Sequence, residues 1–342
     1  MPSEQTLMRR EILEIPEAVD RLLTNGAEAI ATAAGAAREL DPRFLISVAR
    51  GSSDHACSYL KYASELILRR PMASIGPSVA SIYGVDLMAK DALCIAISQS
   101  GQSPDIARMT EGLAAAGAMT VAITNNPDSR LGNVAAATLP IHAGPELSVA
   151  ATKTFVTSLV AGLWLVAEIK GEAELLSAIR ALPAQLEAAT RCDWSGAAEA
   201  ISGRSLFTLG RGPSWAISNE AALKFKETCL IHAESYSSAE VHHGPMSIVE
   251  EGFPVIAFAA GDAAEESIAA TADELSAKGA RVFATTGRVR RATELPHVRT
   301  DHWLTDPIAM VVSFYGMVET VALHRGIDPD KPRHLNKVTE TL

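Results

Sequence analysis

The hydrophobic pattern is read most easily at Ala92-Leu93-Cys94-Ile95-Ala96-Ile97, where six successive residues are apolar without alternation. Such a run suits a strand covered on both faces, as in a parallel sheet. It opens into Ser98-Gln99-Ser100-Gly101-Gln102-Ser103, after which Ile106, Met109, Leu113 and Ala116 recur at helical spacing. Ser103 stands at the N-cap position and Pro104 at the first helical position. The pattern therefore predicts a strand, a polar loop and a helix N-terminus. Arg43 to Ala49 reads as a similar strand, entering Arg50-Gly51-Ser52-Ser53-Asp54-His55 and a helix over Ala56–Leu68. Further strands are predicted at Thr120–Thr124 and Ala137–Ile141, and a long helix at Ala150–Ile169. Upstream, Leu7, Ile12, Leu13 and Ile15 mark a helical arm before Pro16, and a second helix covers Val19–Leu40. Strands alternating with helices define an α/β chain with parallel sheets.

The pattern also repeats. Arg43-Phe44-Leu45-Ile46-Ser47-Val48-Ala49-Arg50-Gly51 is echoed by Arg204-Ser205-Leu206-Phe207-Thr208-Leu209-Gly210-Arg211-Gly212, 161 positions later. The same offset of 161 carries Asp91–Ser103 onto Gly252–Ala264. A constant offset across two strand-loop units implies two copies of one domain. The expected organisation is an arm over residues 1–24, a first domain over 25–185, a second over 186–325 and a tail over 326–342, with a linker near Leu182–Ser195 where Pro183 interrupts a helical pattern.

Composition narrows the partners. The 342 residues are 48% hydrophobic but only 5% aromatic, and the net charge is -10, which argues against nucleic acid or an anionic membrane as the main partner. Cys57, Cys94, Cys192 and Cys229 are far apart, so neither a zinc site nor a disulfide framework is signalled, and they read as reduced core residues. The charged first residues do not fit a signal peptide, and Phe155–Ile169 is too short and polar to span a bilayer. A cytoplasmic protein is expected.

Candidate chemistry lies in the loops and one helix. Ser98, Gln99, Ser100 and Ser103 surround a glycine at a helix N-terminus, where free N–H groups and the helix dipole favour an anion. No lysine and no G-x-x-x-x-G-K-[ST] pattern accompany them, so a small phosphate ester fits better than a nucleotide. The plainer reading is a loop that only caps its helix. In the second copy the loop has become Ala259-Ala260-Gly261-Asp262-Ala263-Ala264, without hydroxyls and with a carboxylate, so the first copy is expected to hold the phosphate. Glu220, Lys224 and Glu227 share one helix face, either a solvated ion-paired surface or an acid/base group in a cleft. His242-His243 in a Ser-rich loop suits proton transfer better than a metal, because no third ligand stands at metal spacing. Lys337 is an ordinary surface lysine unless it is buried in a site, where it can form an imine with a sugar carbonyl. Arg50 and Arg211 are expected to shape loops or pair with carboxylates.

Several ordered motifs together resemble the sugar isomerase (SIS) domain family, in the paired form found in glucosamine-6-phosphate synthase. They are Ala49–Ala56, Ile97–Ser103, Glu146–Lys153, Ala221–Glu227, Ile231–Tyr236, Glu240–Pro245 and Pro332–Lys337. The resemblance implies two flavodoxin-like parallel sheets flanked by helices. It implies that Ser53, Ser98, Gln99, Ser100 and Ser103 bind the substrate phosphate, with Gly51, Ser52, Val149 and Ala151 also lining the substrate. It makes Glu227 the base between C1 and C2, with Glu220 and Lys224 beside it, and Lys337 the imine-forming lysine. His243 matches a ring-opening histidine that reaches into the neighbouring subunit, which implies a homodimer.

The departures point further. No cysteine precedes Cys57, so the synthase's glutaminase nucleophile has no counterpart, Ala151 replaces a usual serine and Gln102 a common glutamate. The pattern looks like that of stand-alone SIS-type glucosamine-6-phosphate deaminases. The expected reaction converts glucosamine 6-phosphate to fructose 6-phosphate and ammonia, without metal or nicotinamide cofactor. The alternatives are a fructosamine-6-phosphate deglycase, another phosphosugar aldose-ketose isomerase, or a non-catalytic sugar-phosphate sensor.

Overall fold

The computed structural model describes residues 5–335 and Lys337; residues 1–4, Asn336 and 338–342 of the arm and tail lie outside the described residues. In chain order the elements begin with α1 (Leu7–Leu13), α2 (Ile15–Asn25), α3 (Ala27–Leu40), β1 (Phe44–Val48), α4 (Ser52–Ile67), β2 (Met72–Ser74) and α5 (Ser78–Ser81). They continue with β3 (Ala92–Ile97), α6 (Pro104–Ala115), β4 (Met119–Thr124), α7 (Arg130–Val134), β5 (Ala137–Pro140), α8 (Lys153–Lys170) and α9 (Ala173–Ala189). The second half holds α10 (Ser195–Ala200), β6 (Ser205–Gly210), α11 (Pro213–Cys229), β7 (His232–Ser237), β8 (Pro254–Ala257), α12 (Glu265–Ala277), β9 (Arg281–Ala284), β10 (Thr293–Glu294) and α13 (Asp306–His324).

The chain forms two compact units that interleave along the sequence. One consists of Glu17–Glu146 and Lys153–Arg180. Its five-stranded sheet has the order β2-β1-β3-β4-β5, and every pairing is parallel. This is the flavodoxin-like strand order, in which the chain reverses direction across the sheet between β1 and β3. Every residue of β3 is buried, as its unbroken apolar run requires. Ile46, Val48, Cys94 and Ala96 pack with Ile106, Met109 and Leu113 of α6 on one face, while α3, α4 and α8 lie together. Helix α8 is buried from Lys153 to Ala167, so it reads as apolar all round.

The other unit gathers the arm up to Pro16, the short segment Leu147–Thr152 and Ala181–Lys337. Its sheet runs β10-β9-β8-β6-β7, again wholly parallel. Read from the β7 edge, it repeats the first topology. Phe207, Leu209, Val255 and Ala257 take the places that Ile46, Val48, Cys94 and Ala96 hold in the first core. Gly51 and Gly212, 161 positions apart, even share a backbone geometry: φ 56° and ψ −133° in one, φ 60° and ψ −140° in the other. Side chains disfavour that conformation, so glycine starts α4 and α11 alike. Helix α13 is long and apolar enough to span a bilayer by composition, but it is mostly buried inside this unit against α11, α10 and α1.

Several element boundaries differ from those expected. The helix read over Val19–Leu40 is two helices, α2 and α3, separated at Gly26. The helix after Gly51 starts at Ser52 rather than Ala56, because Ser52, Ser53 and Asp54 are good first-turn residues. The helix expected from Ala150 starts at Lys153; the residues before it form an irregular segment held by other contacts. Pro183 does not end a helix, since α9 runs through it, and the boundary between the compact units falls just before it at Arg180/Ala181.

Candidate active site

In the first unit, β1 and β3 both end where the strand order reverses, the place at which doubly wound sheets present ligands. The loop after β3 is fastened by its backbone. Gln99 carbonyl accepts from Asn125 N at 3.0 Å, and Gly101 carbonyl accepts from Leu131 N at 3.0 Å. Gly101 has φ 64°, and a Cβ placed there would lie 1.9 Å from Ser129 Oγ, so glycine is required by both conformation and space. Ser98 Oγ accepts from Gly101 N at 3.2 Å and Ser100 Oγ accepts from Gln102 N at 3.2 Å. Accepting leaves each hydroxyl its proton to donate. Ser103 occupies the N-cap of α6, but its side chain makes no capping bond, which keeps that hydroxyl from the helix.

The two loops are joined by charge. Asp105, fully buried in the first turn of α6, pairs with Arg50 after β1 at 2.7 Å. Arg50 thus pairs with a carboxylate, as expected. Ser53 and Ser52 lie half-buried in the first turn of α4, behind Gly51. Burial holds the Asp54 carboxyl above its usual range, against the lowering effects of His55, the Ser74 hydrogen bond and Arg50.

The corresponding loop of the second unit is already filled by its own carboxylates. Gly261 N donates to Asp306 Oδ2 at 2.7 Å and Ala264 N donates to Asp262 Oδ1 at 2.8 Å. Burial raises the Asp262 carboxyl, reinforced by the neighbouring Asp306 and Glu265 and opposed by Arg299. An exogenous anion would meet negative charge here. Only the first loop has the donor set of an anion site.

Helix α11 carries the charged face. Glu220 and Lys224 are fully buried, and Glu227 is partly exposed. Lys224 Nζ lies 3.4 Å from Glu220 Oε1 and bonds Glu227 Oε2 directly. Tyr315 of α13 donates to Glu220 Oε1 at 3.2 Å. Burial by itself would depress the Lys224 ammonium, but the two carboxylates outweigh it and hold the group above its ordinary value. A solvated ion-paired surface is therefore not what this face is. It delivers one half-open carboxylate, Glu227, braced by a buried cation.

The two histidines separate. Glu240–His242 form a single 3-10 turn rather than an open loop. His242 Nε2 sits 3.3 Å from Thr271 Oγ1, and its Nδ1 lies 3.8 Å from Glu274. His243 is exposed, and among the described residues its ring bonds none of Glu220, Lys224 and Glu227.

Lys337 Nζ donates to the Ser148 carbonyl at 2.6 Å. This places the tail lysine on the segment that also carries Val149 and Ala151, both half-buried. Glu11 of α1 accepts from the backbone N–H of Leu147 and, at 3.2 Å, from that of Ser148. Ser148 Oγ is buried with no hydrogen-bond partner among the described residues. Sequence reasoning missed Glu11, Ser148, Tyr315 and Asp105: no motif or periodicity marks a residue whose role comes from a distant backbone. Among the described residues no cluster of three His, Cys, Asp or Glu side chains stands ready for a metal ion.

Comparison with known proteins agrees with the doubled architecture. The SIS domain model matches residues 41–168 and again 201–321. A glutamine–fructose-6-phosphate aminotransferase [isomerizing] from Pyrobaculum aerophilum is 35% identical over 96% of this chain, which spans only 56% of that relative's length. The crystal structure of a proposed phosphosugar isomerase from Silicibacter pomeroyi DSS-3 is 62% identical, with a TM-score of 0.93, covering 95% of this chain and 100% of that one. The C-terminal domain of glucosamine-fructose-6-phosphate aminotransferase from Francisella tularensis is 25% identical with a TM-score of 0.82, covering 96% of this chain and 99% of that one. The chain belongs to the SIS domain family, and it carries that domain twice.

Proposed function

We propose that the chain is a phosphosugar isomerase specialised for deamination, converting glucosamine 6-phosphate and water to fructose 6-phosphate and ammonia. The observation that carries this is the half-open Glu227 carboxylate bonded to a buried ammonium. Such a group can take a proton from one sugar carbon and return it to the next. The likeness to a proposed phosphosugar isomerase and to isomerising aminotransferases supports the substrate class.

In this reading Ser53, Ser98, Gln99, Ser100 and Ser103 hold the phosphate, with Gly51 and Ser52 shaping the same anion site. His243 of a second copy helps to open the ring, which makes the working form a homodimer. Glu227 removes the C2 proton of the open-chain aldehyde and delivers it to C1, leaving an imine at C2. Water adds to that imine and ammonia departs, so the bonds balance with no change of oxidation state overall. The Lys337 amine can hold C2 of the ketose as an imine with loss of one water. The scheme calls on no metal or nicotinamide, and its product belongs to cytoplasmic sugar metabolism.

Incubation of the purified protein with glucosamine 6-phosphate should release ammonia and fructose 6-phosphate in equal amounts, and Glu227→Gln should abolish both. A second reading, a plain aldose-ketose isomerase, is favoured by the likeness to the proposed phosphosugar isomerase. Interconversion of hexose 6-phosphates without ammonia release would select it.

A further inference from the structure

The α1 arm is tied to both partners of the Lys337 contact. Glu11, itself buried, takes the N–H groups of Leu147 and Ser148, and the Ser148 carbonyl takes the Lys337 ammonium at 2.6 Å. At its other end, the arm offers its unpaired helix-start amides to the tail. Leu7 N donates to Asp330 Oδ2 at 2.6 Å and Met8 N donates to Asp330 Oδ1 at 2.9 Å. A carboxylate at a helix N-terminus is stabilised by those free amides and by the dipole. Asp330 precedes Lys337 by seven residues. The arm is itself anchored to α13: Thr6 donates to Glu319 at 2.8 Å, and Arg9 bonds Glu319 and the Gly316 carbonyl.

We infer that Glu11 is a positioning residue for Lys337. It fixes the segment whose carbonyl aims the lysine's nitrogen, while α1 holds the root of the tail through Asp330. The buried carboxylate has a specific task, since two adjacent N–H groups turned toward one side chain orient the Ser148 peptide. Loss of Glu11 leaves those amides without their acceptor and lets the carbonyl turn. Lys337 then keeps its chemistry but loses its aim. Misplacement of a reacting group by about 1 Å costs on the order of 100-fold in rate. This inference rests on the proposed role of Lys337 in carbonyl chemistry.

The test is a double-mutant cycle on the full chain with Glu11→Ala, Lys337→Ala and the pair, read as kcat and KM for glucosamine 6-phosphate. Glu11→Ala should lower kcat about 10- to 100-fold with KM changed less than about threefold. On the Lys337→Ala background it should cost less than about threefold more. Cyanoborohydride trapping with fructose 6-phosphate, read by mass spectrometry at Lys337, should fall in Glu11→Ala and recover in part in Glu11→Gln, which keeps one acceptor oxygen. Glu11→Gln also serves if Glu11→Ala does not fold. Equal losses from Glu11→Ala on both backgrounds would overturn the positioning role and leave the function standing. An unchanged rate in Lys337→Ala would overturn both the role of Lys337 and the inference built on it.

Discussion

Lys224 Nζ lies 3.4 Å from Glu220 Oε1 in a part of α11 where both side chains are withdrawn from solvent. Breaking such a pair from one side leaves a buried charge without compensation, at a cost of about 3–5 kcal/mol. Lys224→Met should therefore lower stability by that order, measured by denaturant unfolding. Glu220→Gln combined with Lys224→Met should recover part of it. The pH dependence has a definite sign. Folding holds the Lys224 ammonium above its usual value, so its stabilisation is fully present below that value and is lost only as pH rises through the folded one. The stability gap between wild type and Lys224→Met should stay level from about pH 6 to 9.

The turn at Gly101 makes a second prediction. An added methyl at φ 64° meets Ser129 Oγ, and alanine in that region costs at least about 1–2 kcal/mol before any clash. Gly101→Ala should lower the melting temperature and raise KM for the phosphosugar together. A variant with unchanged KM would show that the loop does not carry the phosphate.

Ser103 separates binding from folding, because its hydroxyl makes no cap to α6. Removing one hydrogen bond to a charged group costs about 1.5–3 kcal/mol, which is roughly 10- to 100-fold in affinity. Ser103→Ala should raise KM by about that factor, with little change in kcat or melting temperature. Titration of inorganic phosphate by calorimetry checks the same loss without turnover.

The thiols divide by burial. Cys57, Cys94 and Cys229 are buried, and burial pushes the thiols of Cys94 and Cys229 up to about 12 and Cys57 well above its usual value. Only the thiolate reacts readily. An aromatic disulfide reagent near neutral pH should therefore titrate one thiol in the native protein, Cys192, and four after unfolding.

Much of this arrangement was legible from local patterns. The run Ala92–Ile97 became a fully buried strand, and the offset between Arg43 and Arg204 became two sheets of one topology, because strand burial and loop chemistry are local properties. The spacing of Glu220, Lys224 and Glu227 placed them on one face but not on a buried one. That depended on Tyr315 and the rest of α13, far away in the chain. Proline at 183 misled for a related reason: packing keeps α9 helical where propensity alone would end it. Glu11 had no signal at all, since its contacts are to backbone amides of residues 147 and 148.

The most direct measurement of proton transfer by Glu227 is isotopic. Turnover of glucosamine 6-phosphate in deuterium oxide should yield fructose 6-phosphate carrying deuterium at C1, read by mass spectrometry and proton NMR, with no label appearing in Glu227→Gln. Absence of exchange at both C1 and C2 with the wild-type protein, or label at C1 that survives in Glu227→Gln, would contradict the account.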